Sequence, residues 1–263
     1  MTIFNMKVDF KSMVNRLLGK AGIKIDYTSY LDEQPGLYRN VLKALLSVTD
    51  NFNIIQVGAN DGKFNDPIYD IVKQNKFSTN IILVEPQSEI MPMLKANYSY
   101  HPSVEIYNKA IGKDQSSIEL YRIQEEYWDQ INPDYAKDWP DYRAATGLTT
   151  SNKSQLLDYI SKHVSPELRQ ESLIERYDVD IVQPQTILRY SDIMKEVHLL
   201  QVDSEGMDDE IVYSFIDDEI MPNIINIERT HLTEDERKQY NSKLSHYGYE
   251  SLNYTSEETL SIK

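Results

Sequence analysis

The chain has 263 residues, 40% of them hydrophobic, a formal net charge of −15 and no cysteine. That length and apolar content suit one large α/β domain with additions, or two small domains. The acidity argues against a nucleic-acid partner, which needs a basic field, and the missing thiols exclude disulfides and thiolate zinc sites.

Residues 1–50 read as an N-terminal helical extension. Phe10, Met13, Val14, Leu17 and Leu18 fall at helical spacing, and a second helix follows Pro35 with Leu37, Val41, Leu42 and Leu45 on one face. The main domain is expected over 51–255, with an aromatic-rich insert near 125–165 and a tail at 256–263. Its first strand, Ile54–Val57, enters the turn Gly58-Ala59-Asn60-Asp61-Gly62, where glycines let the backbone turn sharply and a ligand come close. Asp66-Pro67 reads as an N-cap and first helical residue, followed by a stripe of Ile68, Ile71 and Val72. A second strand, Ile81–Val84, ends at Glu85-Pro86. A helix with Ile90, Met93, Leu94 and Tyr98 leads to a third strand, Val104–Tyr107, which ends at Asn108. This β-α-β-α-β order is the mononucleotide-binding half of a doubly wound sheet, whose ligands sit beyond the C-terminal ends of the strands.

Residues 118–180 interrupt the alternation. A strand at Ile118–Ile123 precedes a segment carrying Tyr127, Trp128, Tyr135, Trp139 and Tyr142, which reads either as a surface loop packed by its aromatics or as a lid or substrate wall. Leu156, Leu157, Ile160 and Val164 mark a short helix, residues 167–178 are charged and expected to be exposed, and Asp180–Val182 reads as a strand. The alternation resumes with strand Leu199–Val202, a helix bearing Ile211, Val212, Phe215 and Ile216, and strand Ile224–Ile227. Thr233 and Glu236 form a capping box for a helix with Tyr240 and Leu244, and Glu250–Tyr254 is expected to finish the sheet. No run is long and apolar enough to span a bilayer, and the N-terminus has no signal-peptide core, so a soluble cytoplasmic protein without stable membrane insertion is expected.

Polar groups collect at the strand ends: Gly58–Gly62, Glu85, Asn108, Asp203 with Glu205, and Glu228 with His231. A carboxylate closing the second strand can accept hydrogen bonds from a ribose diol, which is the chemistry of a nucleoside cofactor, and Asn108 could meet a nucleobase edge.

These pieces resemble the FkbM family of S-adenosylmethionine-dependent methyltransferases. The matching segments are Val57–Gly62, Val84-Glu85-Pro86, Leu94 with Asn97, Asn108–Gly112, Gln201–Met207 and Asn226-Ile227-Glu228. The resemblance implies an α/β, Rossmann-like class I methyltransferase sheet, mostly parallel with an antiparallel C-terminal strand and helices on both faces. It implies that Gly58, Ala59, Asn60 and Gly62 line the methionine moiety of S-adenosylmethionine. Glu85-Pro86 would meet the ribose, Asn108 and Ala110 the adenine, and Asp203 the sulfonium. Members usually carry Asp two residues before the first glycine; here Gln56 stands there, which removes a charge if that position helps hold the cofactor's ammonium.

A sulfonium methyl needs an in-line nucleophile whose proton is removed. Asp203, Glu205, Glu228 and His231 are candidate bases; alternatively Asp203, Glu205 and Glu228 could ligate a divalent metal, or Glu205 and Glu228 could serve only loop structure and His231 be merely structural. The expected activity is O-methylation of a hydroxyl on a small-molecule or glycan acceptor, the choice of oxygen coming from the resemblance, with homo-oligomerisation left open. Trp128 and Trp139 are the residues expected to stack on that acceptor. A nicotinamide-dependent oxidoreductase is the rival enzyme, although the chain lacks G-x-G-x-x-G and a Tyr-x-x-x-Lys pair. A non-catalytic cofactor-binding module is the third reading.

Overall fold

The computed structural model describes residues 36–113, 116–131, 133–164 and 171–263, together with Gly19. The helix expected around Phe10–Leu18 and the Pro35 start of the second helix lie outside them. Helix α1 (Leu37–Leu46) buries Leu37, Tyr38, Val41, Leu42 and Leu45 on one face. These residues join the core that also holds Phe52 and Ile54 from β1 (Phe52–Val57), so α1 is packed on the sheet.

All six residues of β1 are buried, as a strand covered on both faces requires. Ile54 faces the core under α1, whereas Ile55 and Val57 face a second core on the opposite side. The chain continues through α2 (Tyr69–Gln74), β2 (Thr79–Val84), α3 (Met91–Asn97, with Pro92 in its first turn) and β3 (Val104–Tyr107). A second, three-stranded sheet then forms from β4 (Ala110–Ile111), β5 (Ser117–Ile123) and β6 (Ile174–Val182), in the order β4-β6-β5. Between β5 and β6 lie, among the described residues, three short 3-10 turns, α4 (Asp141–Thr146) and α5 (Lys153–His163). Ile123, Trp128, Ile131, Ala144, Ala145 and Ile160 give this insert a core of its own.

The sheet resumes after α6 (Pro184–Tyr190) with β7 (Leu199–Val202), α7 (Asp208–Asp217), β8 (Ile224–Glu228), α8 (Glu234–His246), β9 (Glu250–Asn253) and β10 (Glu258–Ile262). Its order is β3-β2-β1-β7-β8-β10-β9, and β10 runs antiparallel to both of its neighbours. This is the doubly wound α/β sheet that the sequence pattern predicts, with the antiparallel C-terminal strand that the family resemblance implies. The Thr233–Glu236 capping box forms as expected. No described helix is long and apolar enough to cross a membrane.

Two segments depart from expectation. Residues 258–262, read as part of a tail, form β10 and sit inside the sheet, between β8 and β9. Their hydroxyls hid this: Thr259 donates to Asn253 Oδ1 (2.7 Å) and Ser261 pairs with Ser251 (2.8 Å), so polar side chains are buried at little cost. The strand expected at Asp180–Val182 starts at Ile174, so residues 174–178, read as a charged exposed stretch, belong to β6; Arg176 and Asp178 are exposed there, Ile174, Glu175 and Tyr177 half-buried, and 165–170 lie outside the description. Opposite charges paired with β5 replace the apolar alternation here, Arg122 with Glu175 (2.7 Å) and Arg176 with Glu119 (2.9 Å).

Candidate active site

The turn after β1 has three left-handed residues, Gly58 (φ +74°), Asn60 (φ +47°) and Gly62 (φ +67°). Gly58 presses against the backbone of the loop after β7: a Cβ there would lie 1.7 Å from the Asp203 carbonyl oxygen. Gly62 is packed against α3, where a Cβ would lie 2.6 Å from both Leu94 and Tyr98. Other bonds pin the turn. Asn97 Nδ2 donates to the Asp61 carbonyl (2.8 Å), Tyr142 Oη donates to Asp61 Oδ2 (2.9 Å), and Asn60 N donates to Glu85 Oε2 (2.7 Å). Leu94 and Asn97 therefore serve this site as buttresses of the turn.

A cleft of about 550 Å³ opens beyond the C-terminal ends of β1, β2, β7 and β8, and Gly58, Asn60, Glu85, Pro86, Ala110 and Asp203 are among its lining residues. The volume is that of a small-molecule or cofactor site. The remaining expected contacts stand behind the wall. Ala59 is buried, Gly62 abuts α3, and Gln56 lies beneath the turn with its Nε2 on Asp66 Oδ2 (2.6 Å). Asn108 is exposed and is absent from the lining; its Nδ2 clamps the Glu85 and Pro86 carbonyls at 3.0 and 2.9 Å. Its structural task is to hold the Glu85-Pro86 corner. Glu85 accepts from Asn60 N and, through Oε1, from Gln87 N (2.9 Å) and Gln87 Nε2 (3.1 Å). Burial pushes its carboxyl above the usual range.

At the other end of the cleft four carboxylates and a histidine converge. Asp203 is half-buried in the cleft wall; desolvation there, and then the neighbouring Glu205 and Glu228, hold its carboxyl well above the ordinary value. Glu228 is pushed up to about 7 by burial and then by Glu205. Asp208, at the start of α7, is also raised to about 7, by burial and by Asp203, while Ser204 Oγ donates to it at 3.2 Å. His231 bridges Glu205 and α5: its Nε2 lies 2.9 Å from Glu205 Oε2 and its Nδ1 lies 2.8 Å from Gln155 Nε2. Because the Gln155 amide donates, Nδ1 accepts and Nε2–H faces Glu205. That bond to Glu205 raises the imidazole above its ordinary value. Glu205, Glu228 and His231 also offer one ligand atom each within 4.8 Å of one another, a spacing and donor set suited to a divalent cation. His231 takes the place in this grouping expected for Asp203. His101 bonds Thr79 and Ser103, and His198 accepts from Asn53 N, so both are structural; the side chain of His163 lies outside the description.

The chain matches the Methyltransferase FkbM domain over residues 56–251. It belongs to the FkbM family of S-adenosylmethionine-dependent methyltransferases. Membership sets aside the nicotinamide oxidoreductase reading. Among solved structures, precorrin-6y C5,15-methyltransferase from Geobacter metallireducens is 12% identical, with 86% of this chain and 87% of that chain covered and a TM-score of 0.38. Methanococcus jannaschii fibrillarin is 10% identical, with 81% and 67% covered and a TM-score of 0.40. Aeropyrum pernix fibrillarin with bound S-adenosyl-L-methionine is 9% identical, with 81% and 66% covered and a TM-score of 0.38. No curated protein matches the sequence.

The cleft is also lined by residues that sequence reasoning missed. Asp66, read only as a cap, does accept from Ile68 N (2.9 Å) and Tyr69 N (2.6 Å), and it lines the cleft as well. Arg143, Gln87, Gln201 and Thr149 line it too, and only the DP dipeptide at 66–67 offered a local signal. The aromatic insert divides in two. Trp139 and Tyr135 line the cleft, Tyr135 being 61% exposed, whereas Trp128 is 7% exposed and donates to the Ile123 carbonyl (3.0 Å). Trp128 is therefore a core residue of the insert, and the expectation that it stacks on the acceptor is corrected. Trp128→Ala should cost about 3–5 kcal/mol in a thermal melt, as large core truncations do. Trp139→Ala should leave the melting temperature within a few degrees of wild type and weaken acceptor affinity in a titration.

Proposed function

We propose that this methyltransferase moves a methyl group from S-adenosylmethionine to a hydroxyl of a glycan or small-molecule acceptor. The observation that carries the reading is the cluster of Asp203 and Glu228 in the wall of the cleft that also holds Gly58, both carboxyls raised by burial and by neighbouring carboxylates, Glu228 to about 7. A hydroxyl must lose its proton as the new C–O bond forms, and a base matched to neutral pH serves that step.

The cleft suits the cofactor. Gly58 allows the β1 and β7 loops to meet without a side chain between them, leaving backbone to face the methionine portion. Glu85 has three hydrogen bonds on two oxygens, so acceptor capacity remains for a ribose hydroxyl, and Pro86 and Ala110 flank the position of the base. When bound, S-adenosylmethionine supplies an electrophilic methyl carbon on a sulfonium. Asp203 is the proposed base once it has lost its own proton, since it lines the cleft directly. Glu228 stands beside it as a second raised carboxyl, and the Glu205–His231–Gln155 chain fixes the neighbouring charge. Trp139, Tyr135 and Thr149 form the acceptor wall.

The grouping of Glu205, Glu228 and His231 favours a second reading, in which these three hold a divalent cation beside the acceptor. Transfer unaffected by EDTA supports the first reading, whereas transfer lost to EDTA and restored by magnesium or manganese supports the second. The function itself is tested with S-adenosylhomocysteine and NAD in thermal-shift titrations, followed by labelled methyl transfer to a panel of sugars, alcohols and amines. Stabilisation by S-adenosylhomocysteine and label on a hydroxyl are expected. Label on amines alone would overturn O-methylation, and binding with no transfer to any acceptor would favour the non-catalytic module.

A further inference from the structure

Gln56 and Asp66 form a buried pair that is one donor short. Gln56 is 2% exposed, its Nε2 is committed to Asp66 Oδ2 at 2.6 Å, and its Oε1 has no hydrogen-bond partner. Asp66 accepts two backbone N–H groups at Oδ1 and the Gln56 amide at Oδ2, so one of its roughly four acceptor positions remains. Unpaired buried acceptors of this kind call for a donor from elsewhere. Asp66 lines the cleft, so a ligand can supply it.

Arg143 lines the same cleft and is 8% exposed. The insert brings it there. Its Nε donates to the Phe64 carbonyl (2.9 Å) and its guanidinium lies over Trp139 (5.5 Å to the ring centre), which fixes the plane of the fork. Its Nε also lies 3.9 Å from Oδ1 of the buried Asp61, whereas its terminal nitrogens donate to none of the described residues, so the fork is held in place with its outer donors unused. Asp66, Glu85 and Asp203 all feel its charge, which places it centrally among the strand ends. A recessed carboxylate lacking a donor and a recessed guanidinium with its terminal donors unused, in one cleft, are complementary to a zwitterion.

We propose that Asp66 and Arg143 hold the amino-acid end of the cofactor, Asp66 taking the ammonium and Arg143 the carboxylate, with Gln56 positioning Asp66. This rests on the reading of the cleft as the cofactor site. It assigns the negative charge that Gln56 lacks to a residue ten positions further along the chain, and it gives the insert a part in cofactor recognition as well as in forming the acceptor wall.

The test is calorimetric titration of wild type, Asp66→Asn and Arg143→Gln with three probes. These are S-adenosylhomocysteine, its decarboxylated analogue, and 5′-deoxy-5′-methylthioadenosine, which has no amino-acid end. Each variant should lose about 10–100-fold in affinity for S-adenosylhomocysteine, the worth of a charge-assisted hydrogen bond, and keep wild-type affinity for methylthioadenosine. Arg143→Gln should bind S-adenosylhomocysteine and the decarboxylated analogue alike. The proposal is overturned if either variant keeps the wild-type preference for S-adenosylhomocysteine over methylthioadenosine, or loses methylthioadenosine to the same degree. Should Arg143→Gln fail to fold, wild type still decides for Arg143: equal affinity for S-adenosylhomocysteine and the decarboxylated analogue refutes its role. A wild-type protein that binds none of the three probes refutes the cofactor reading itself, a result distinct from all of these.

Discussion

Gly58→Ala is expected to abolish S-adenosylhomocysteine binding and to destabilise the protein by more than about 3 kcal/mol, the range of severe backbone clashes. The added Cβ would sit 1.7 Å from the Asp203 carbonyl oxygen and 2.7 Å from its carbon. Neither side can yield cheaply. Gly58 N is bonded to the Val84 carbonyl (3.0 Å), Asp203 N is bonded to the Val57 carbonyl (3.1 Å), and β1 and β7 are locked in parallel register. The positive φ of +74° adds roughly 1 kcal/mol for any residue with a Cβ. Separating the two loops would also displace Asp203 from the glycine turn, so the stability and binding losses should occur together. Gly248→Ala is the control. Its φ is +88°, but nothing lies within 4 Å of a Cβ there, so it should cost only about 1 kcal/mol and leave binding unchanged. Thermal melts and calorimetry on the two variants make the comparison; a Gly58→Ala protein that binds like wild type would contradict the packing described.

Removing the proposed base should reduce turnover about 10²–10⁴-fold in Asp203→Asn, the usual contribution of general-base catalysis. S-adenosylhomocysteine carries no sulfonium charge, so its affinity should change little in this variant. Wild-type kcat/KM should rise with pH as Asp203 and Glu228 lose their protons, since burial and the neighbouring carboxylates raise both and Glu228 lies near 7. Stability should run the other way. A carboxyl whose folded pKa lies above its unfolded value contributes stability that is complete below the unfolded pKa and is lost as pH rises through the folded one. For Glu228 that window runs from its ordinary 4.5 to about 7. The ligand-free melting temperature should therefore fall between pH 5 and pH 8. Glu228→Gln, which cannot ionise, should raise stability at pH 8 by on the order of 2 kcal/mol while lowering turnover. A variant less stable than wild type at pH 8, or a wild-type melting temperature that does not fall over this range, would refute the strained carboxyl pair.

The local pattern alone was enough for the strands that build the cleft. Ile54–Val57, Ile81–Val84, Leu199–Val202 and Ile224–Ile227 are continuous apolar runs because a parallel strand is covered on both faces, and their order among helical segments marks the doubly wound sheet. The glycine turn, Glu85 and Asp203 follow those strands directly, so the same pattern placed them at one edge. Other assignments depended on partners distant in sequence. Tyr142 reaches Asp61 and Thr146 reaches Asn60, 81 and 86 residues apart, and these contacts dock the insert on the turn and bring Arg143 into the cleft. Trp128 and Trp139 are the same residue type in one segment, yet only the insert's own core decides which is buried and which faces the cleft. Asn108 follows its strand as Glu85 does, but its amide finds carbonyls to bond and turns to the corner. Strand β10 reads as polar because its hydroxyls are paired only by β9. Periodicity and turn chemistry are local properties, so the sequence determined the sheet and the residues at its strand ends. The side on which a side chain finds its hydrogen-bond partner or its cavity is set by chain packed from elsewhere, so only the tertiary structure decided the roles of Asp66, Arg143, Asn108 and the two tryptophans.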